Sequence, residues 1–210
     1  MAEKTVVHLL RHGEVHNPDG VLYGRLPGYR LSANGRQMAA AAADFFSERP
    51  VVALFASPLE RAQETAKPVA DRLGLQIVTD DRLIESGNLL EGKTITLARL
   101  ALNPVHWSHL WNPFQPSWGE PYRQVADRVW QVVERARDAA RGQEAVAVSH
   151  QLPIWVTRLA AEHRRLWHNP NKRQCALGSV TSFAFDDDKL TGVSYAVPAR
   201  RQVREGDAAQ

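Results

Sequence analysis

Val6-Val7-His8-Leu9-Leu10-Arg11-His12-Gly13-Glu14 decides how the rest of this chain is read. The apolar run over 6–10 reads as a buried strand, and it stops on Arg11-His12-Gly13. A fixed cation, an imidazole and a residue without a side chain meet where a strand gives way to a loop. In open α/β sheets that end of a strand is where ligands bind. Arginine matches a phosphate in charge and in fork geometry. Histidine serves as a nucleophile near neutral pH. Glycine lets a ligand come close to the backbone.

Two more apolar runs repeat the pattern. Val51-Val52-Ala53-Leu54-Phe55-Ala56 ends in Ser57-Pro58-Leu59-Glu60-Arg61-Ala62-Gln63-Glu64-Thr65-Ala66, and Ala145-Val146-Ala147-Val148 ends in Ser149-His150. Three strands each deliver a basic residue at the carboxyl end. Between them the periodicity alternates. Ser32 predicts an N-cap for a helix to about Glu48, and a second helix runs from Pro58 to Leu73 with Gly74 as its stop. Residues 75–79 read as a short strand. Amphipathic helices are predicted over about 121–141 and 152–161, and one near 94–102. Two closing strands, 179–185 and 191–197, flank an Asp186-Asp187-Asp188-Lys189 hairpin. Alternating strands and helices predict a three-layer α/β/α fold with a mostly parallel central sheet of about six strands.

The expected organisation is a single domain over 1–198, with a helical, Trp- and Pro-rich insertion at about 80–120 and a polar, fraying tail over 199–210. Composition is ordinary globular, 44% hydrophobic and 23% charged in 210 residues. The net charge of +3 comes from 26 basic and 23 acidic residues interspersed along the chain. It gives no concentrated basic face for nucleic acid, while a mild positive charge helps draw an anionic substrate. No apolar run of about 18 residues predicts a membrane span. A lone Cys175 and an N-terminus without a signal-peptide layout point to a reduced, cytoplasmic setting. The sequence leaves the oligomeric state open.

Arg11-His12-Gly13-Glu14, the Ser57-Pro58-Leu59-x-Arg61-Ala62-x-x-Thr65-Ala66 run and Ser149-His150, in that order and spacing, resemble the histidine phosphatase superfamily, also called phosphoglycerate mutase-like. The resemblance runs from about Thr5 to Val197. It implies a phosphomonoesterase acting on small phosphorylated metabolites without a metal or organic cofactor. It further implies His12 as the nucleophile that becomes phosphohistidine. The Gly13 carbonyl is the expected acceptor for the second ring nitrogen of His12. Arg11, Arg61 and His150 are the implied clamp on the phosphoryl oxygens. The family triplet Ser-His-Gly departs here at Gln151, a side chain available as an extra polar contact.

A carboxylate soon after the third strand is implied as general acid and base. Glu85, in Leu83-Ile84-Glu85-Ser86-Gly87, is the first choice, ahead of Glu91 and Asp81. Asn17 and Gly24 resemble family positions at the phosphate. Ser57 reads as a pocket hydroxyl or a helix cap, and Glu14 as a support of the site. Trp107, Trp111 and Trp118, with Phe114, either roof the pocket and select the substrate or pack the insertion onto the sheet. His106 and His109 are three apart but show no third metal ligand. The mutase branch carries extra basic residues for a second anion. Only Lys93 offers such a cation near Glu85 in sequence, which favours a phosphatase. A phosphoglycerate mutase-type phosphotransferase and a non-catalytic phosphoester-binding module are the alternatives.

Overall fold

The computed structural model describes residues 3–87, 91–92 and 119–198. In chain order these form β1 (Lys4–Arg11), α1 (Ala33–Phe46), β2 (Val51–Ala56), α2 (Glu60–Leu73), β3 (Ile77–Thr79), α3 (Tyr122–Ala139), β4 (Glu144–Ser149), α4 (Gln151–Ala161), β5 (Val180–Asp186) and β6 (Lys189–Ala196), with short 3-10 turns at Asp81–Leu83 and Pro170–Lys172. The helix expected near 94–102, most of the insertion expected at about 80–120, and the tail at 199–210 lie outside the described residues. Among the described residues no helix is long and apolar enough to cross a membrane.

The sheet order is β3-β2-β4-β1-β5-β6. β1, β2, β3 and β4 are mutually parallel where they pair, and β5 and β6 are antiparallel additions beside β1. The sheet is mostly parallel with helices on both faces, as the alternation of elements predicts. Successive β1 residues point to opposite faces. Val7 and Leu9 pack under α3 and α4 with Val129, Val132, Val133 and Ile154. Leu10 packs under α1 and α2 with Phe46, Ala62, Ala66 and Val69. Both faces are covered, so β1 reads as a continuous apolar run rather than an alternating one.

α1 is tied to the end of β1. The Ser32 hydroxyl caps the helix by accepting from the Gly35 N–H at 2.9 Å and donates to Glu14 Oε1 at 2.5 Å. The Ser32 N–H donates to the Glu14 carbonyl at 2.9 Å, and Asn34 Nδ2 reaches the other Glu14 oxygen at 2.8 Å. These bonds hold the Glu14 carboxyl below its usual range. They also press two glycines together. A Cβ on Gly13 would strike the Gly35 carbonyl oxygen, and a Cβ on Gly35 would strike the Glu14 carbonyl. Gly13 was expected to clear space for a ligand; the space it clears is occupied by the first turn of α1.

This packing opposes helix propensity, which favours alanine over glycine by about 1 kcal/mol in a helix interior. Overpacking against backbone costs typically about 1–3 kcal/mol, so Gly35→Ala is expected to lower the stability measured by urea denaturation. Gly192, whose missing Cβ would meet nothing within 4 Å, supplies the control: Gly192→Ala is expected to leave the midpoint unchanged or raise it. A Gly35→Ala protein as stable as the parent would show that the two turns do not touch.

Candidate active site

The strands that carry the three motifs are neighbours, in the order β2-β4-β1. Registers are nearly level at their carboxyl ends: Arg11 is opposite Ser149, and Ala56 is opposite Val148. The next residue of each strand then falls at one place. The His12 N–H donates to the Ser149 carbonyl at 3.1 Å and the Ser57 N–H to the Val148 carbonyl at 2.9 Å. As a result the His12 and His150 rings stand 5.1 Å apart at 56°, both nearly inaccessible to solvent. The Thr65 hydroxyl, one helical turn after Arg61, donates to the Arg61 carbonyl at 2.7 Å and accepts from the Gly13 N–H at 3.1 Å. It ties the second motif to the first.

His12 Nδ1 donates to the Gly13 carbonyl at 2.8 Å. That bond assigns the proton to Nδ1 and leaves the lone pair on Nε2. Burial, with Arg61 and then Arg11 beside it, holds the His12 pKa well below the ordinary value, so the ring is neutral. His150 is lowered in the same way, by burial first and then by His12, Arg61 and Arg11. Its Nε2 meets the Ser57 hydroxyl at 2.8 Å. Ser57 also accepts from the Leu59 N–H at 3.4 Å; it does not line the cavity that opens beside the site, and α2 starts after Leu59 without a side-chain cap.

Arg61 is fully buried, with Nη2 donating to the Gly24 carbonyl at 2.6 Å and the Tyr23 ring 4.8 Å from its guanidinium carbon. Arg11 donates through Nη1 to the Cys175 carbonyl at 2.6 Å. Arg11 Nε, Arg61 Nε and Nη1, and His150 Nδ1 are buried without a hydrogen-bond partner among the described residues. Buried donors of this kind are rare, because each costs about 1–3 kcal/mol when unsatisfied. Four of them around one histidine form a socket for an anion.

A cavity of about 300 Å³ opens beside them, lined by Arg11, His12, Tyr23, Gly24, Glu85, Gln151 and Arg173 among others. Arg61 and His150 do not line it; Tyr23 covers the Arg61 guanidinium from the cavity side. A larger hollow of about 950 Å³ beside β6 holds none of the motif residues.

Glu85 lines the cavity and accepts from the Ser86 N–H at 2.9 Å. Burial pushes its pKa up, against the pull of that N–H and of Arg61, Arg11 and Arg173. Its backbone is held hard. The Glu85 carbonyl accepts from Arg25 Nε at 2.7 Å and Arg128 Nη2 at 3.4 Å, and both arginines pair with Glu120. Ser149 Oγ donates to the Leu83 carbonyl at 2.7 Å, fixing the turn that delivers Glu85. Glu91 lies against Gly24 and does not line the cavity, and Asp81 is exposed on the 3-10 turn. Asn17 takes a different place from the one its resemblance suggests. Its amide is closed on the Val21 backbone in both directions, at 2.9 and 3.0 Å, so it shapes the loop instead of lining the cavity. Gly24 does line it, and its carbonyl accepts from Arg61.

Trp107, Trp111 and Trp118, with Phe114, His106, His109 and Lys93, lie outside the described residues. A cation from a distant segment lies at the cavity, however. Arg173, eighty residues later in the chain, reaches the cavity, as do Tyr23, Gln151 and Tyr122. Nothing in local sequence marks Arg173. Thr65 lay inside a quoted motif, but its partner Gly13 did not show.

A six-stranded, mostly parallel sheet with helices on both faces and this strand order is the phosphoglycerate mutase-like fold. The profile of the histidine phosphatase superfamily (branch 1) matches residues 7–198, and the chain belongs to that family. Rv0525 of Mycobacterium tuberculosis is 54% identical over 200 residues, covering 95% of this chain and 99% of its own. The solved structure of YhfR from Bacillus stearothermophilus superposes with a TM-score of 0.77 at 26% identity, over 89% of this chain and 94% of that one. A mycobacterial glucosyl-3-phosphoglycerate phosphatase, solved with VO3, shares the fold at a TM-score of 0.71 and 24% identity, over 91% and 97% of the two chains. More distant relatives include both phosphatases and mutases.

An anion that satisfies the four orphaned donors will stabilise the folded chain. At a hundred times its Kd, a ligand of the native state adds about 2.7 kcal/mol, or roughly 5–10 °C in Tm for a chain of this size. Orthovanadate is expected to raise Tm on that scale in thermal denaturation. Arg61→Ala is expected to remove most of the rise. A rise of equal size in Arg61→Ala would place the anion elsewhere.

Proposed function

We propose that the chain hydrolyses small phosphomonoesters through a phosphohistidine on His12 Nε2. The observation that carries this reading is the His12 ring itself. It is neutral, locked by Gly13 into the tautomer with its lone pair on Nε2, and surrounded by arginine N–H groups without partners. In the first step Nε2 bonds to phosphorus while the bond to the leaving oxygen breaks. Arg11, Arg61 and His150 neutralise the non-bridging oxygens. The Glu85 carboxyl gives its proton to the leaving oxygen, and the alcohol departs. In the second step a water attacks phosphorus and loses a proton to the Glu85 carboxylate. The N–P bond then breaks, and inorganic phosphate leaves neutral His12 and protonated Glu85 behind.

The two titrating groups are displaced in the directions this sequence of steps needs. His12 must be neutral and Glu85 protonated at the same pH. A free imidazole and a free glutamate satisfy that poorly, because the acid ionises first. Burial lowers the first and raises the second, which widens the pH range where both conditions hold.

Release of phosphate from p-nitrophenyl phosphate tests the reading. His12→Ala is expected to lower kcat by about 10³-fold or more while the thermal transition persists. Phosphate release by His12→Ala at the parent rate would exclude it as nucleophile. The kcat/KM profile is expected to fall on the acid side as His12 takes a proton, below the ordinary imidazole range. On the alkaline side it falls as Glu85 ionises, above the ordinary carboxylate range. Glu85→Gln is expected to remove the alkaline limb and to slow alkyl phosphates by about 10²-fold or more, with a smaller effect on p-nitrophenyl phosphate. That behaviour in Glu91→Gln instead would reassign the acid. Isomerisation of 3-phosphoglycerate with little free phosphate would make the chain a phosphotransferase. A folded parent without turnover on a broad phosphoester panel would make it a binding module.

A further inference from the structure

The first half of β1 carries another buried histidine, His8, and the neighbouring strands bring an acid and a hydroxyl to it. Parallel pairing sets Glu144, at the start of β4, opposite Val6 and so diagonal to His8. Antiparallel pairing sets Ser182 of β5 opposite His8, and Ser194 of β6 opposite Ser182. His8 Nε2 meets Glu144 Oε2 at 2.9 Å, and His8 Nδ1 meets Ser182 Oγ at 2.7 Å. The carboxylate fixes the tautomer. Nε2 carries the proton and donates it to Glu144, so Nδ1 holds the lone pair and accepts from the Ser182 hydroxyl. Hydroxyl, imidazole and carboxylate in that order are a nucleophile, its base and the group that orients the base. Burial follows the same order. His8 is 1% exposed, its ring against Phe46 at 5.2 Å. Burial alone would raise the Glu144 pKa; the bonds from His8 and Arg49 hold it below the usual range instead, so it stays ionised. Ser182 is only part-buried, and with His8 and Arg49 it lines the hollow of about 950 Å³ beside β6. Ala184, Gly192 and Ser194 line the same hollow with Phe45, and a Cβ on Gly192 would meet nothing within 4 Å, so room is open above the strands. A buried histidine needs hydrogen-bond partners, but nothing in that need requires the hydroxyl at the end of the relay to face a cavity.

We infer that Ser182, His8 and Glu144 form a second hydrolytic centre, which cleaves carboxylic esters bearing a short apolar acyl group. It is separate from the phosphoester chemistry at His12 and does not rest on it. Ser182 Oγ bonds to the carbonyl carbon while its proton passes to His8 Nδ1. Arg49, at the same hollow, offsets the charge that gathers on the carbonyl oxygen. The adduct collapses, the alcohol leaves with the proton from His8, and the acyl group stays on Ser182. A water then attacks the acyl carbon and gives a proton to Nδ1. The bond to Ser182 breaks, Oγ takes that proton back, and the carboxylic acid departs. Glu144 touches no reacting atom; it is a positioning residue that holds the His8 ring in its tautomer.

The test is release of p-nitrophenolate from p-nitrophenyl butyrate by the full chain, with acid quenching and peptide mass mapping of the butyryl group. The parent is expected to cleave the ester about tenfold or more faster than free imidazole at the same concentration, and to carry the butyryl group on Ser182. Ser182→Ala is expected to lower the rate about tenfold or more while the thermal transition persists. Ser182→Cys, which keeps a nucleophile in place, is expected to carry the label at the same position. Glu144→Ala is expected to slow cleavage, and Glu144→Gln, which still accepts from Nε2, to restore part of the rate. Cleavage at the parent rate in folded Ser182→Ala overturns the centre. So does a butyryl group found only on other residues, His12 included, and so does a parent no faster than imidazole.

Discussion

The level pairing of β1 with β4, Arg11 opposite Ser149, is the constraint on which the site depends. One residue beyond that pair, two imidazoles are forced to within 5.1 Å of each other. A slip of one position would turn every β1 side chain to the opposite face. Leu9 and Leu10 would exchange cores, and the Gly13 N–H would leave the Thr65 hydroxyl. The two hydrophobic layers that bury β1 on both faces therefore fix the register of the chemistry. Stability and site geometry have one origin here.

Around that pair the charges are arranged against the usual habits of a folded protein. Arg11, Arg61 and Arg173 have no recorded ion pair among the described residues, while Arg25 and Arg128 are paired with Glu120. The difference is spatial. Paired arginines grip the backbone of the segment that carries Glu85, and unpaired ones gather around His12 and the cavity. Glu85 is the carboxylate that faces all three, and its own burial pushes it toward the neutral form. The cationic character of the hollow is preserved because its acid does not cancel it.

Much of this was legible in the residues. Apolar runs ending on Arg11-His12, Ser57 and Ser149-His150 located three strand ends. Alternating elements gave the layers, and the Gly13 carbonyl was foreseen as the partner of His12. Glu85 reaches the cavity whereas Glu91 and Asp81 do not. Contacts between distant segments were hidden. Arg173 has no local signature, because its place depends on how the loop before β5 folds back over α4. Asn17 was misread because an asparagine in a Gly- and Pro-rich loop serves its own turn as readily as a ligand. Gly13 was read as clearance for substrate because a sequence does not show that a helix start, 22 positions away at Gly35, presses on it.

That glycine contact also constrains how such a scaffold diversifies. Neither position 13 nor position 35 can gain a methyl first, since each would collide with the main chain on the other side. Either single change costs stability, so drift at this junction is opposed whichever order is tried. The cavity walls carry no such lock: Tyr23, Gln151 and Arg173 present side chains that exchange without moving a strand. Specificity can thus wander across lineages while the hinge between the first strand and the first helix stays frozen.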